Sequence, residues 1–180
     1  KDNEAFVINV SGKPMPFKNN GVKVWRSTNY QNITKAISEA PSKSIIIDDS
    51  TYLMTTEFMR TAQIKGDDKY PEMACNFYNL LQAAAALPED KIVYFLGHVD
   101  LDANGNERFK TIGKMLDEKV TLEGWFTIVL KTVVQDGKYQ FSTQTNGHDT
   151  VKSPMGMFDS QLIDNDLKAV DTAIREFYNI

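Results

Sequence analysis

Cysteine is nearly missing from this sequence: Cys75 is the only one in 180 residues. One cysteine excludes an intrachain disulfide and a cysteine-based zinc site, and it fits a reducing compartment. Histidine is scarce as well, and His98 and His148 are too far apart in the chain to have metal-ligand spacing. No run of about 18 apolar residues occurs, so no stretch has the length of a membrane-crossing helix. No serine sits in the glycine-flanked turn of a hydrolase nucleophile. The formal charge is −4, which excludes a surface that is basic all over; nucleic-acid contact would need a local basic patch. A phosphate-binding loop, G-x-x-x-x-G-K-[ST], is also absent. At Gly12-Lys13 the first glycine is replaced by Val7 and the hydroxyl residue by Pro14, which has no backbone N–H to offer a phosphate.

What is present is an alternation of strand and helix patterns. Ala5 to Ser11, "VKVW", "KSIIIDD" and "KIVYFLGH" read as short apolar strands. Helices are expected from Asn29 or Ser27 to about Ala40, from Thr55 or Thr56 through Phe58, Met59, Ala62 and Ile64, from about Glu72 to Leu87, and from about Gly113 to Glu123. "WFTIVLKTVV" and "KYQFSTQT" flank Asp136-Gly137 and read as an antiparallel hairpin, and an amphipathic helix with Asp166 in its first turn ends the chain. The pattern predicts one α/β domain over 1–180, with a mainly parallel sheet and an antiparallel extension at one edge.

The chemistry gathers at two strand ends. Three isoleucines lead into Asp48 and Asp49, so a strand buried on both faces would deliver two carboxylates to the C-terminal edge of the sheet, where open α/β sheets bind ligands. The same residues also suit a buried strand whose aspartate caps the next helix. His98 ends another buried strand, where it can donate to a phosphate from a ring nitrogen or simply satisfy backbone groups. "DLDANGN" (Asp100 to Asn106) resembles the first half of a calcium loop, but Thr111 stands where a bidentate glutamate is needed, and a tight turn explains the same residues. Arg108, Lys110, Lys114 and Lys119, with Phe109 among them, form the most basic segment. It suits either a strand-tracking DNA loop with one stacking ring or a solvated mixed-charge face.

Taken together, "IIIDDSTYLMTTEFMR", "IVYFLGH", "KTIGKMLDEKVTLEGWFTIVLKT" and "VKSPMGMF" resemble the phage-encoded RecA-like P-loop ATPases, the phage nucleotide-binding and single-strand-annealing recombination proteins. The likeness runs from about Phe6 to Tyr178. It implies a RecA-like three-layer P-loop NTPase fold whose P-loop strand is absent from this chain, and it leads to the expectation that the natural protein extends before Lys1. It implies ATP and Mg²⁺ as cofactors and an ATPase once the native N-terminus is present. Asp48 would hold Mg²⁺ as the Walker B carboxylate, Asp49 would orient the attacking water, and His98 would sense the phosphate. Arg108, Phe109, Lys110 and Lys114 would meet single-stranded DNA, and Lys110 and Lys114 fall where related assemblies place a residue that reaches a neighbouring subunit's nucleotide. Ser11 and Lys13 stand where many RecA-like enzymes place a catalytic glutamate. The implied partners are single-stranded DNA, further copies of the chain and a single-strand-binding protein, in the cytoplasm of a bacterial host. The alternative expectation is a non-catalytic RecA-like module that binds DNA or protein.

Overall fold

The computed structural model describes residues 5–18, 21–63, 66, 69–113 and 115–180, and Ile64 and Lys114 lie outside them. The backbone falls into two compact units, one built from the residues up to His98 together with Lys110–Val120, the other from Val99–Phe109 and Thr121–Ile180.

The first unit is a parallel sheet covered by helices. β1 (Phe6–Asn9), β2 (Lys23–Arg26), β3 (Ser44–Asp48) and β4 (Ile92–Phe95) stand in the order β2-β1-β3-β4, every neighbouring pair parallel. α1 (Tyr30–Glu39) crosses from β2 to β3, and α2 (Thr51–Thr61) and α3 (Lys69–Ala85) cross from β3 to β4. Both crossings run the same way along the sheet, so right-handed connections place these helices on one face. Ile8, Ile47 and Phe95 are register partners, and Phe77 of α3 lies edge-on to Phe95 with ring centroids 6.3 Å apart. That face is therefore the helix-covered one, and Ile8, Ile45 and Ile47 on it are fully buried. Ile33 and Ile37 of α1 and Met73, Phe77 and Leu80 of α3 complete the core. Each such side chain contributes roughly 1.5–3 kcal/mol by leaving water. Asn29 caps α1 by accepting from Asn32 N at 2.9 Å, as the expected start of that helix requires.

The second unit is antiparallel. β5 (Val99–Leu101) and β6 (Glu107–Phe109) form a hairpin. At its turn, Asp102 Oδ1 accepts from the backbone N of Asn104 and Asn106, both at 2.8 Å. Side-chain acceptance of this kind makes a tight turn, the reading set against calcium binding. β7 (Lys131–Gln135) and β8 (Lys138–Ser142) pair through Asp136 and Gly137, whose φ values of 51° and 74° suit a type I′ hairpin turn. β9 (Leu162–Asp164) pairs with β8, and α4 (Leu167–Tyr178) follows, capped by Asp166, which accepts from Lys168 N and Ala169 N.

The broad α/β expectation holds: a four-stranded parallel sheet and an antiparallel hairpin sheet are both present. Three details differ. The antiparallel strands form a sheet of their own, with β9 as an unforeseen third member, and do not extend an edge of the parallel sheet. The helix expected from Gly113 to Glu123 is a π-helical turn, Met115–Val120, followed by a 3₁₀ turn, Leu122–Trp125, with Thr121 at φ 51° between them. A β-branched residue at positive φ breaks the α-helical ladder there. α2 begins at Thr51, four residues before the expected start, because Ser50 and Thr51 are tied to the end of β4: Ser50 N and Oγ both bond Leu96 O at 2.7 Å.

Candidate functional site at the carboxyl edge of the parallel sheet

The side chains of interest lie where parallel strands end and backbone groups run out of ladder partners. Asn9 ends β1 and Asp48 ends β3 as its register partner. The chain after β4 is held against the start of α2 by Ser50 and by His98 N, which donates to Thr51 Oγ1 at 3.1 Å. This strap fixes the approach of His98 to Asp49: His98 Nε2 lies 2.6 Å from Asp49 Oδ2. Asp49 Oδ1 accepts from Thr51 N at 3.2 Å, so both carboxylate oxygens are engaged. The Asp49 side chain is only 17% exposed, while that of His98 is 58% exposed, so the buried carboxylate orients the accessible imidazole. With Nε2 turned to the carboxylate, Nδ1 is the ring atom left for an incoming ligand.

Asp48 differs from its neighbour. Its carboxylate makes no hydrogen bond or ion pair with any described residue. Burial, and after it the negative charge of Asp49, holds its pKa above the ordinary aspartate value. A half-buried, unpartnered carboxylate destabilised by a second carboxylate is a place where a cation relieves charge. Among the described residues no group of three or more His, Cys, Asp and Glu side chains can hold a metal ion. Mg²⁺ does not need one, because it is commonly held by one or two carboxylates with phosphate and water as the rest. Asp48 fits that role. A cradle of backbone N–H groups for the phosphates is not formed by the motif the sequence lacks.

Two further residues belong to this edge. Tyr52, in the first turn of α2, meets His98 edge-on at 5.8 Å between centroids, 86° between planes. Lys13 Nζ lies 5.3 Å from the centroid of the same tyrosine ring. Tyr52 was not foreseen, although its place three residues after Asp49 puts it in the first helical turn beyond the strand end.

The expected DNA residues fall on and just after β6. Arg108 and Phe109 lie on β6, both half-buried, and Phe109 N donates to Glu123 Oε1 at 2.6 Å. Lys110 is exposed, and its N–H donates to His98 O at 2.8 Å, which ties the end of that segment to the histidine. Lys114 lies outside the described residues. No helix of the described residues is long and apolar enough to cross a membrane. Neither a protein-family model nor a curated protein matches the chain.

Proposed function

We propose that this chain is the nucleotide-binding part of a RecA-like phage recombination protein, which binds Mg-ATP, hydrolyses it and acts on single-stranded DNA in annealing or strand exchange. The observation that carries the reading is the division of labour at the β3 end: one carboxylate without a partner among the described residues beside another committed to a histidine. An ATP site needs both, a metal-holding acid and a group that positions water or contacts phosphate. The magnesium-bound nucleotide supplies the anhydride and its partly neutralised charge. Asp48 would hold the ion. Asp49 keeps the His98 ring in one orientation, so that Nδ1 can accept from water or, when protonated, donate to a phosphate oxygen. Asp49 thereby acts through His98, a refinement of its expected role as the residue that orients water directly.

Coupling to DNA would pass from His98 to Lys110, since the hydrogen bond between their backbones means that a shift of one moves the other. The testing experiment is ATP turnover, with and without single-stranded DNA, by the protein with whatever precedes Lys1 in its gene. Turnover stimulated by DNA and abolished by Asp48→Ala supports the reading. Turnover retained in Asp48→Ala overturns the magnesium assignment. Absence of turnover under both conditions favours the second reading, a RecA-like module that binds DNA or protein without hydrolysis, to which the missing phosphate loop points.

A further inference from the structure

The loop after β1 is more ordered than a solvent loop needs to be. Asn9 is 2% exposed, and its side chain works in both directions. Nδ2 donates to Lys13 O at 2.7 Å, and Oδ1 accepts from Gly12 N at 2.8 Å. A buried amide with both ends satisfied fixes the loop, and Gly12 supplies the positive φ of 71° that the turn requires. The residue this arrangement presents is Lys13. Its backbone is anchored, yet its side chain is exposed and forms no ion pair with any described residue. The ammonium instead rests over Tyr52, the ring that also touches His98.

A lysine next to an acidic edge ordinarily pairs with a carboxylate. Here one carboxylate is taken by His98, the other has no partner among the described residues, and Lys13 is on an aromatic face. An exposed cation–π contact is worth only about 0.5–1 kcal/mol, so it holds the ammonium in place without competing strongly against an anion. A hydrogen bond from an ammonium to a phosphate oxygen is charge-assisted and stronger. The edge also needs such a cation: two carboxylates alone repel a polyphosphate.

We propose that Lys13 is a ligand-binding residue of this edge, which leaves the Tyr52 ring to bind a phosphate oxygen of the nucleotide. The proposal rests on the reading of the edge as an ATP site. It is tested by titrating Mg-ATP, and separately adenosine, into the wild-type protein with its native N-terminus and into Lys13→Ala and Lys13→Arg. Lys13→Ala is expected to weaken Mg-ATP binding about tenfold, roughly 1.4 kcal/mol. Lys13→Arg is expected to restore most of it, adenosine binding should not change, and the melting temperature should stay where it was. Equal Mg-ATP affinity in wild type and Lys13→Ala overturns this proposal and leaves the ATP site standing. An equal loss for adenosine overturns it too, since the lysine would then not act on phosphate. No Mg-ATP binding by the wild-type protein sinks both the ATP site and the role of Lys13.

Discussion

Asp48 and Asp49 are neighbours in sequence with opposite fates, and the difference is a matter of partners. Asp49 has a histidine and a backbone N–H, whereas Asp48 has burial and a like charge. Asp48 therefore costs stability once ionised. Its folded pKa is raised, so its contribution is fully favourable below the ordinary value of 3.8 and is lost as pH rises through the raised value. Asp48→Asn removes that loss. Thermal melts are expected to show the variant more stable than wild type at pH 7, with the gap closing below about pH 4. Saturating Mg²⁺ should then stabilise wild type and leave Asp48→Asn unmoved; equal stabilisation of both would place the ion elsewhere. A residue that weakens the fold in its ligand-free form while serving a ligand is the trade expected of a binding site.

Among the elements, the β5–β6 hairpin is held within its unit by charge. Lys131 on β7 bonds Glu107 on β6 and, at 2.9 Å, Asp149, whose side chain is 3% exposed. Burial opposes both charges and is the largest single influence on each. At Asp149 the hydrogen bonds from Lys131, Thr145 and the Val151 backbone, together with the Lys131 charge, outweigh it and lower that pKa, while the bonds to Glu107 and Asp149 raise that of Lys131. The signs give a wide window. Asp149 contributes fully above 3.8 and loses its contribution as pH falls through its lowered value; Lys131 contributes fully below 10.5 and loses its own as pH rises past that. Asp149→Asn is expected to cost about 3 kcal/mol at pH 7, because it leaves a largely buried ammonium with one carboxylate in place of two. Chemical denaturation would measure it, and a cost near zero would mean that water replaces the carboxylate. This triad was invisible in the sequence, since its three residues are distant along the chain and no periodicity marks them. What was legible followed local rules: a cap of α1 at Asn29 or Ser27, the isoleucines of β3, the Asp-Gly turn between β7 and β8, and the amphipathic helix α4, which Asp166 caps from just before the first turn in which it was expected. What was not legible depended on tertiary contacts. The early start of α2 comes from the strap between Ser50 and Leu96, and β9 is a three-residue strand recognised only by its pairing with β8. At the site, the sequence placed Asp48, Asp49 and His98 at two strand ends, but not that Asp49 and His98 pair while Asp48 stands apart.

For the whole molecule, the binding of single-stranded DNA is the expectation farthest from the described geometry, and it has a direct test. Each phosphate neutralised on a single strand contributes about 0.7 to the slope of log affinity against log salt concentration. If Lys110 and Lys114 each meet one phosphate, replacing both by alanine should weaken binding and reduce that slope by about 1.4, twice the single value. An unchanged slope would reduce the basic segment to a solvated face. Half-burial of Phe109 makes the same point from another side: Phe109→Ala is expected to cost about 1–3 kcal/mol of DNA affinity only if its ring can stack on a base.

The chain passes between the two units three times, at His98–Val99, Phe109–Lys110 and Val120–Thr121. Neither unit is therefore a continuous stretch, and no single cut separates them: a cut after His98 leaves Lys110–Val120 with the second unit, and a cut after Val120 leaves Val99–Phe109 with the first. Dissection has to proceed by excision instead. Because the N–H of Lys110 already bonds the carbonyl of His98, the ends left by deleting 99–109 lie close enough to be rejoined by a short glycine linker. The resulting internal deletion would keep the carboxyl edge of the parallel sheet and lose Arg108 and Phe109, so on the proposed function it should retain nucleotide binding while weakening that of single-stranded DNA; an equal loss of both would count against that function.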